Sequence, residues 1–351
     1  MAYDRHTAEQ KILAACLELL DKGLIARTWG NISARLSDEE FLITPSGRAY
    51  EDLKPEELVT VKIKDHSWEG DIKPSSEKGM HAELYKLRPE CDFIIHTHQT
   101  NASAVSLYGE DFDLEAFPAG LIGEDDKAIL GGRIPCAKYG LSSTKTLTDN
   151  VAKAAAANPG CSAILMKHHG AAVMGATDDE AFRVADALER VCGSIFERRC
   201  GEKILTESGR EPRGWWSVFG YLYHVETPDI MEMSRRGRRV YSYLDDMAMI
   251  SGYYTDCIED VHNEKAFRKA LGNRNAVLVK NGGALVVAPN EDEAGAIAIA
   301  LEKNSRAANL GLKKALKPVN PLSAAIERKV YIDKYSKLKN AGGEKDAETA
   351  D

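Results

Sequence analysis

The chain has 351 residues, 44% of them hydrophobic and 28% charged, with a formal net charge of −8. That is the mix of an ordinary globular protein. The acidic balance argues against nucleic acid or an anionic membrane as the main partner, because both call for basic patches. No apolar run approaches the roughly 20 residues of a membrane span.

In chain order, "HTAEQKILAACLELL" places Ile12, Leu13, Cys16, Leu19 and Leu20 on one helix face, so the N-terminal stretch reads as an amphipathic helix and not as a signal peptide. "GLIARTWGNISARL" is a glycine-bearing turn leading into a short alternating strand. "EEFLITPSGRAY" is a strand running into a turn, and "LVTVKI" alternates with period two as another strand. "KPSSEKGMHAELYKLR" opens with a helix-start signal and then carries Met80, Leu84 and Leu87 at helical spacing. "CDFIIHTH" is a strand that ends in two imidazoles, and "TKTLTDNVAKAAAA" is a helix stopped by Asn158-Pro159-Gly160. "CSAILMKHHGAAVMGA" reads as two buried strands around a turn, with His169 in an apolar strand just before Gly170. An amphipathic helix with an acidic start follows. The seven cysteines are scattered and form no C-x-x-C, the pattern of a reduced, cytoplasmic protein.

Glycine and proline thicken at 207–216, where a domain boundary is expected. Beyond it, residues 276–303 lie over 163–190 without a gap, and Ala163, Lys167, Gly170, Val173 and Glu180 meet identical residues. "DDKAILGG" at 125–132 likewise resembles "DDMAMISG" at 245–252. This is the signature of a second, partial copy. The copy carries Asn281-Gly282 where the first has His168-His169. "LSAAIERKVYIDKYSKLK" reads as a basic amphipathic helix that packs on its own protein or a sister subunit, and 341–351 as a disordered tail.

Residues i and i+2 of a strand point to the same side, so His96 and His98 can reach one ion. Such a pair is common in zinc sites that leave one position open for chemistry. Alone, an H-x-H says little. Glu77 in "PSSE" adds either a hard oxygen ligand or base, or simply a capping-box carboxylate. His169 adds a third imidazole in an apolar setting. The turns "TWGN", "TPSG" and "PSSE" supply backbone amides and small hydroxyl or amide side chains of the kind a phosphate needs. No P-loop motif is present.

Taken together and in order, "TWGNIS", "ITPSG", "PSSE…H…Y", "HTH", "IPCAKYG…T" and "HHG" resemble the class II aldolase/adducin family, and within it the fuculose-phosphate aldolases. The resemblance covers about residues 5 to 205 and implies an α/β, three-layer fold with a central, mostly antiparallel sheet flanked by helices. It implies a catalytic domain at 1–210; the internal similarity adds a degenerate, non-catalytic partial repeat at 216–340, outside the usual family domain. It implies one zinc ion or other divalent transition metal per chain on Glu77, His96, His98 and His169. A phosphate cradle is implied at Gly30, Asn31, Ser46, Gly47, Ser75 and Ser76. Catalytic roles fall to Glu77 and to Tyr139, the latter donated by a neighbouring subunit. Where the aldolases have proline before that tyrosine, this chain has Lys138. The expected partners are a small-molecule sugar phosphate and sister copies in a homo-oligomer with the active site at a subunit interface. The expected reaction is metal-dependent cleavage of a ketose 1-phosphate to dihydroxyacetone phosphate and a short aldehyde. A 4-epimerase, a methylthioribulose-phosphate dehydratase and an adducin-like assembly module stay open as alternatives. A Schiff base on Lys167 is disfavoured, because a metal already supplies the electron sink.

Overall fold

The structure, a computed structural model, describes residues 2–25, 29–201 and 211–335. The expected tail at 341–351 lies outside the described residues. The chain divides into two compact units, Met1–Glu202 and Lys203–Asp351. The boundary therefore precedes the glycine- and proline-rich stretch, and Trp215 and Trp216 belong to the second unit.

The first unit runs α1 (Arg5–Asp21), β1 (Asn31–Arg35), β2 (Glu40–Ile43), β3 (Val59–Lys62), α2 (Lys78–Leu87), β4 (Phe93–Thr97), α3 (Thr100–Ser106), β5 (Phe112–Asp113), α4 (Glu124–Leu130), β6 (Arg133–Ile134), β7 (Cys136–Ala137), α5 (Lys145–Ala157), β8 (Ala163–Met166), β9 (Gly170–Gly175) and α6 (Asp178–Cys200). Its main sheet has the order β3-β2-β1-β4-β9-β8-β7. Only the β7–β8 pair is parallel; the other neighbours are antiparallel. The mostly antiparallel sheet flanked by helices is thus present.

The helices begin where side chains can satisfy their orphan amides. Asp4 accepts from the Thr7 amide at the head of α1, Thr144 caps α5, and Thr177 caps α6. Helix α6 also carries acids in its first turn and Arg198 and Arg199 in its last, in line with its dipole. Strand β1 is buried along its whole length and does not alternate. Its edges pair with β2 and β4, α1 packs against it, and Ser33 meets His81 and Tyr85 of α2, so neither face is left to solvent. β3, at the sheet edge, keeps the alternation. One core layer joins Ile94, Met166, Ala172 and Met174 of the sheet to Met80, Leu84 and Tyr85 of α2 and to Leu147 and Val151 of α5.

The second unit runs β10 (Arg213–Ser217), β11 (Gly220–Val225), α7 (Pro228–Arg235), β12 (Val240–Tyr241), α8 (Asp245–Ser251), β13 (Tyr254–Thr255), β14 (Cys257–Ile258), α9 (Glu264–Leu271), β15 (Ala276–Val279), β16 (Ala284–Ala288), α10 (Glu291–Lys314) and α11 (Pro321–Val330). Its sheet order is β10-β11-β16-β15-β14. The pairings run in the same series as β1-β4-β9-β8-β7, again with only the last pair parallel. Registers also correspond. His96 stands opposite Ala172 as His224 stands opposite Leu285, and Ala163 opposite Val173 as Ala276 opposite Val286. Among the described residues no helix is long and apolar enough to cross a membrane.

Arg35, at the end of β1, holds α2 in place. Its guanidinium donates to the carbonyls of Tyr85, Arg88 and Cys91 at 2.9–3.0 Å and pairs with Asp92 at 3.2 Å. A planar fork suits several carbonyls at a helix C-terminus as an ammonium does not. Arg35→Ala is therefore expected to cost about 3 kcal/mol or more, and Arg35→Lys to recover little of it, measured by urea denaturation.

Candidate functional site

His96 projects from β4 and His98 from the residue just beyond it. The expectation that both point to one side holds, with ring centroids 4.6 Å apart. His169 joins them at 5.1 Å from His96 and 4.9 Å from His98. It does so from the turn between β8 and β9, not from within a strand as its apolar flanks suggested. The reason is His168, whose φ of 64° reverses the chain one residue early. The backbone carries this crowding through glycines. A Cβ on Gly30, whose φ is 133°, would lie 2.7 Å from the His96 carbonyl, and one on Gly170 would collide with the carbonyl of Thr97.

Glu77 closes the cluster. It occupies the N-cap position of α2, but its side chain makes no capping bond. Instead Oε2 lies 3.2 Å from Nε2 of His96 and Oε1 lies 3.2 Å from Nε2 of His169. All four side chains are buried. Burial alone would raise the Glu77 pKa, but the neighbouring His96 and His169 outweigh it and hold the carboxyl well below its usual range. Burial pushes His96 down to about 3, so it is neutral at pH 7.

These contacts test whether a metal fits. Nδ1 of His96 lies 2.9 Å from the Ala171 carbonyl, which can only accept, so Nδ1 carries the proton. Nε2 of His96 therefore presents a lone pair. That lone pair faces Nε2 of His98 at 2.9 Å and a carboxylate oxygen at 3.2 Å. A divalent cation satisfies such converging acceptors, and the backbone bond to Nδ1 is the outer support that ligand histidines use. Among the described residues, His96, His98 and His169 form the one group of three such side chains able to hold a metal ion.

Behind Glu77 runs a hydrogen-bond chain whose members stand in the motifs "TWGNIS" and "PSSE…H…Y", though nothing in the sequence linked them to one another. Asn31 Nδ2 donates to Glu77 at 3.1 Å. Its Oδ1 accepts from Nε2 of His81 at 2.5 Å, so Nδ1 of His81 accepts from Ser33 at 2.6 Å. Tyr85 then donates to Ser33 at 2.9 Å. The chain has one direction, from Tyr85 through Ser33, His81 and Asn31 to Glu77. Spacing brings three of them to one side: Glu77, His81 and Tyr85 of "PSSE…H…Y" recur every four residues.

The cradle residues are only partly gathered. The "TPSG" and "PSSE" turns lie side by side, with a bridge between Pro45 and Pro74, the Ser46 amide on the Lys73 carbonyl and the Ser75 amide on the Thr44 carbonyl. Ser75 is buried beside Glu77, and its Oγ accepts from the Glu77 amide at 3.3 Å. Ser76 and Gly47 are exposed, and Ser76 shares a 2.7 Å bond with Ser143. Asn31 spends one amide hydrogen on Glu77 and keeps a second. Tyr139 stacks edge-on against His168 at 5.6 Å. The stem of Lys167 runs over Gly109.

Residues 10–195, just over half the chain, match the family model described as the class II aldolase and adducin N-terminal domain. The chain is 34% identical over 198 residues to a 5-methylthioribulose-1-phosphate/5-deoxyribulose-1-phosphate aldolase of Escherichia coli O45:K1, spanning 56% of this chain and 86% of that one. It is 31% identical over 186 residues to the L-fuculose phosphate aldolase of Escherichia coli K12, spanning 53% and 81%. It is 30% identical over 213 residues to a methylthioribulose-1-phosphate dehydratase of Pseudomonas syringae pv. tomato, spanning 59% and 99%.

Burial lowers His81 to about 4. In the unfolded chain a histidine protonates near 6.5. Between pH 6.5 and about 4 the unfolded state therefore binds the extra proton, and stability falls as pH falls across that window. Measured by denaturation at a series of pH values, His81→Gln should show a shallower slope there than the parent chain.

Proposed function

Since the chain belongs to the class II aldolase and adducin family, we propose that it is a zinc-dependent aldolase that reversibly cleaves a ketose 1-phosphate to dihydroxyacetone phosphate and a short aldehyde. The observation that carries this reading is the buried carboxylate set between His96 and His169, with a third imidazole in reach. The relatives support the substrate class, since those named above act on phosphates of ribulose-type sugars or of fuculose.

His96, His98, His169 and Glu77 would hold the metal. A divalent metal there supplies a Lewis acid, worth several kcal/mol against the negative charge that develops beside a ketone. The substrate phosphate docks on Gly30, Asn31, Ser46, Gly47, Ser75 and Ser76. In the direction of bond formation, the ionised Glu77 takes a proton from the hydroxymethyl carbon of dihydroxyacetone phosphate. That carbon then adds to the aldehyde, and Tyr139 of a neighbouring copy gives its phenolic proton to the new alkoxide. Cleavage is the reverse. Asn31 and His81 keep the Glu77 carboxylate aimed through these steps, because their bonds fix one of its oxygens.

The dehydratase relative favours one second reading, loss of water from the same kind of sugar phosphate. It would use the same carboxylate to move a proton beside the ketone and would leave the carbon skeleton intact.

The second unit, in this reading, is a partial copy that carries no chemistry. Matching registers and the 276–303 identities support it. At the positions of His96, His98 and His169 it has His224, Glu226 and Gly282. The main-chain turn survives, with Asn281 at a φ of 58° where His168 has 64°. The lysine survives too: Lys280 packs over Gly237 as Lys167 packs over Gly109, which suits a structural lysine and not a Schiff base.

His96→Ala should lose bound zinc, read by elemental analysis, and lose activity by a factor of 10³ or more, since the metal supplies several kcal/mol. The activity assay is release of dihydroxyacetone phosphate from a panel of ketose 1-phosphates. Dehydration products with no such release would replace the aldolase reading by the dehydratase one.

A further inference from the structure

Asn31, His81, Ser33 and Tyr85 can each donate or accept a hydrogen bond, so a chain built from them could run either way. Both of its ends choose the same way. At the near end Asn31 has to offer Glu77 a hydrogen, because the reversed amide would set Oδ1 against a carboxylate oxygen. At the far end stands Tyr85, fully buried, whose phenol has one hydrogen-bond partner among the described residues, Ser33. A buried phenol with one partner keeps its hydrogen bonded only by donating. Ser33 then passes its own hydrogen to Nδ1 of His81, at 2.6 Å. That leaves the His81 proton on Nε2, where it meets Oδ1 of Asn31. Turning the Ser33 hydroxyl around would move that proton to Nδ1, turn the Asn31 amide over and present an acceptor to Glu77.

The second unit separates what the site needs from what the fold needs. Asn31 and Ser33 of β1 stand opposite His96 and Ile94, as Arg213 and Trp215 of β10 stand opposite His224 and Leu222. The unit without the three imidazoles thus lacks the amide and the hydroxyl as well. Features of the fold are kept. A serine takes an amide of the hairpin turn in both units, Ser106 in one and Ser234 in the other. A lysine lies over a glycine in both, as Lys167 or Lys280. Asn31 and Ser33 therefore go with the site.

We propose that Ser33 is a positioning residue for the reaction: it fixes the His81 tautomer, and through it the Asn31 amide, so that Glu77 meets a donor and not an acceptor. Ser33 is fully buried and acts only through its neighbours. Tyr85 supports it by donating to its oxygen. The inference rests on the reading of Glu77 as the group that carries the proton, and it extends that reading to a residue on the far side of His81.

The test uses the full chain loaded with zinc and isotope-labelled at the histidine nitrogens. In the parent, the ring signals of His81, identified by their loss in His81→Gln, should report a proton on Nε2 alone. In Ser33→Ala the Nδ1–H form should appear, since the lost hydrogen bond is worth about tenfold in the ratio of the two forms. The kcat of that variant should fall about tenfold, the lower end for a partner that supports a metal site from outside its ligands. Its zinc content should not change. Tyr85→Phe should hold the parent tautomer, because the Ser33 hydrogen then has no acceptor except His81. A role in packing alone would lower the melting temperature of Ser33→Ala and leave the tautomer as it was. Turnover is read as consumption of sugar phosphate, whichever product forms, so failure of the aldolase reading leaves the test standing. A parent His81 protonated on Nδ1, a pure Nε2–H form in Ser33→Ala, or an unchanged kcat in that variant overturns the proposal. So does an Nδ1–H form in Tyr85→Phe. Should the parent consume no sugar phosphate, the reading of Glu77 falls, and the tautomers alone decide whether Ser33 sets the direction of the chain.

Discussion

Glu77 is shut away from water, and a carboxylate in that position must be given partners or lose its charge. Its partners reach it from separate parts of the chain. His96 comes from β4, His169 from the turn after β8, and Asn31 from the start of β1. Those strands are neighbours only in the order β1-β4-β9-β8. The sheet order and the site are therefore one requirement. Helix α2, which delivers Glu77, is held at its far end by Arg35 of β1, so a single strand supports the helix at one end and the carboxylate at the other.

The pattern also divides labour among imidazoles. Four are buried within reach of one carboxylate or its support. Three turn ring nitrogens toward a common point. The fourth, His81, is tied at both nitrogens, and it serves orientation. Burial keeps His81 and His96 neutral, while the Glu77 carboxyl is held well below its usual range and carries a negative charge.

Much of this could be read from residues alone, and the limits had physical causes. Side-chain alternation placed His96 and His98 together, because period two is a property of any strand. Strands β4, β8 and β9 and helices α5 and α6 stood out because their apolar spacing and caps are local. His169 was found by its apolar flanks but set in the wrong element, since the left-handed His168 leaves no compositional trace. The chain through His81, Ser33 and Tyr85 was invisible as a network because it joins residues about 50 positions apart. Trp215 and Trp216 read as linker because glycine and proline surround them, yet pairing with β11 makes them a strand.

The left-handed residue ahead of His169 has a wider meaning. Asn281, between β15 and β16, takes the same conformation in a turn that runs on to Gly282, a residue with no side chain to bind anything. The reversal is thus a property of the backbone and of Ser106 or Ser234, whose hydroxyls take the turn's amides. An imidazole at 169 inherits its place from a hairpin that folds without it. The third arm of the cluster is preorganised: capture of an ion asks for little ordering of the chain, and the binding energy that ordering would have consumed stays available for holding the ion tightly.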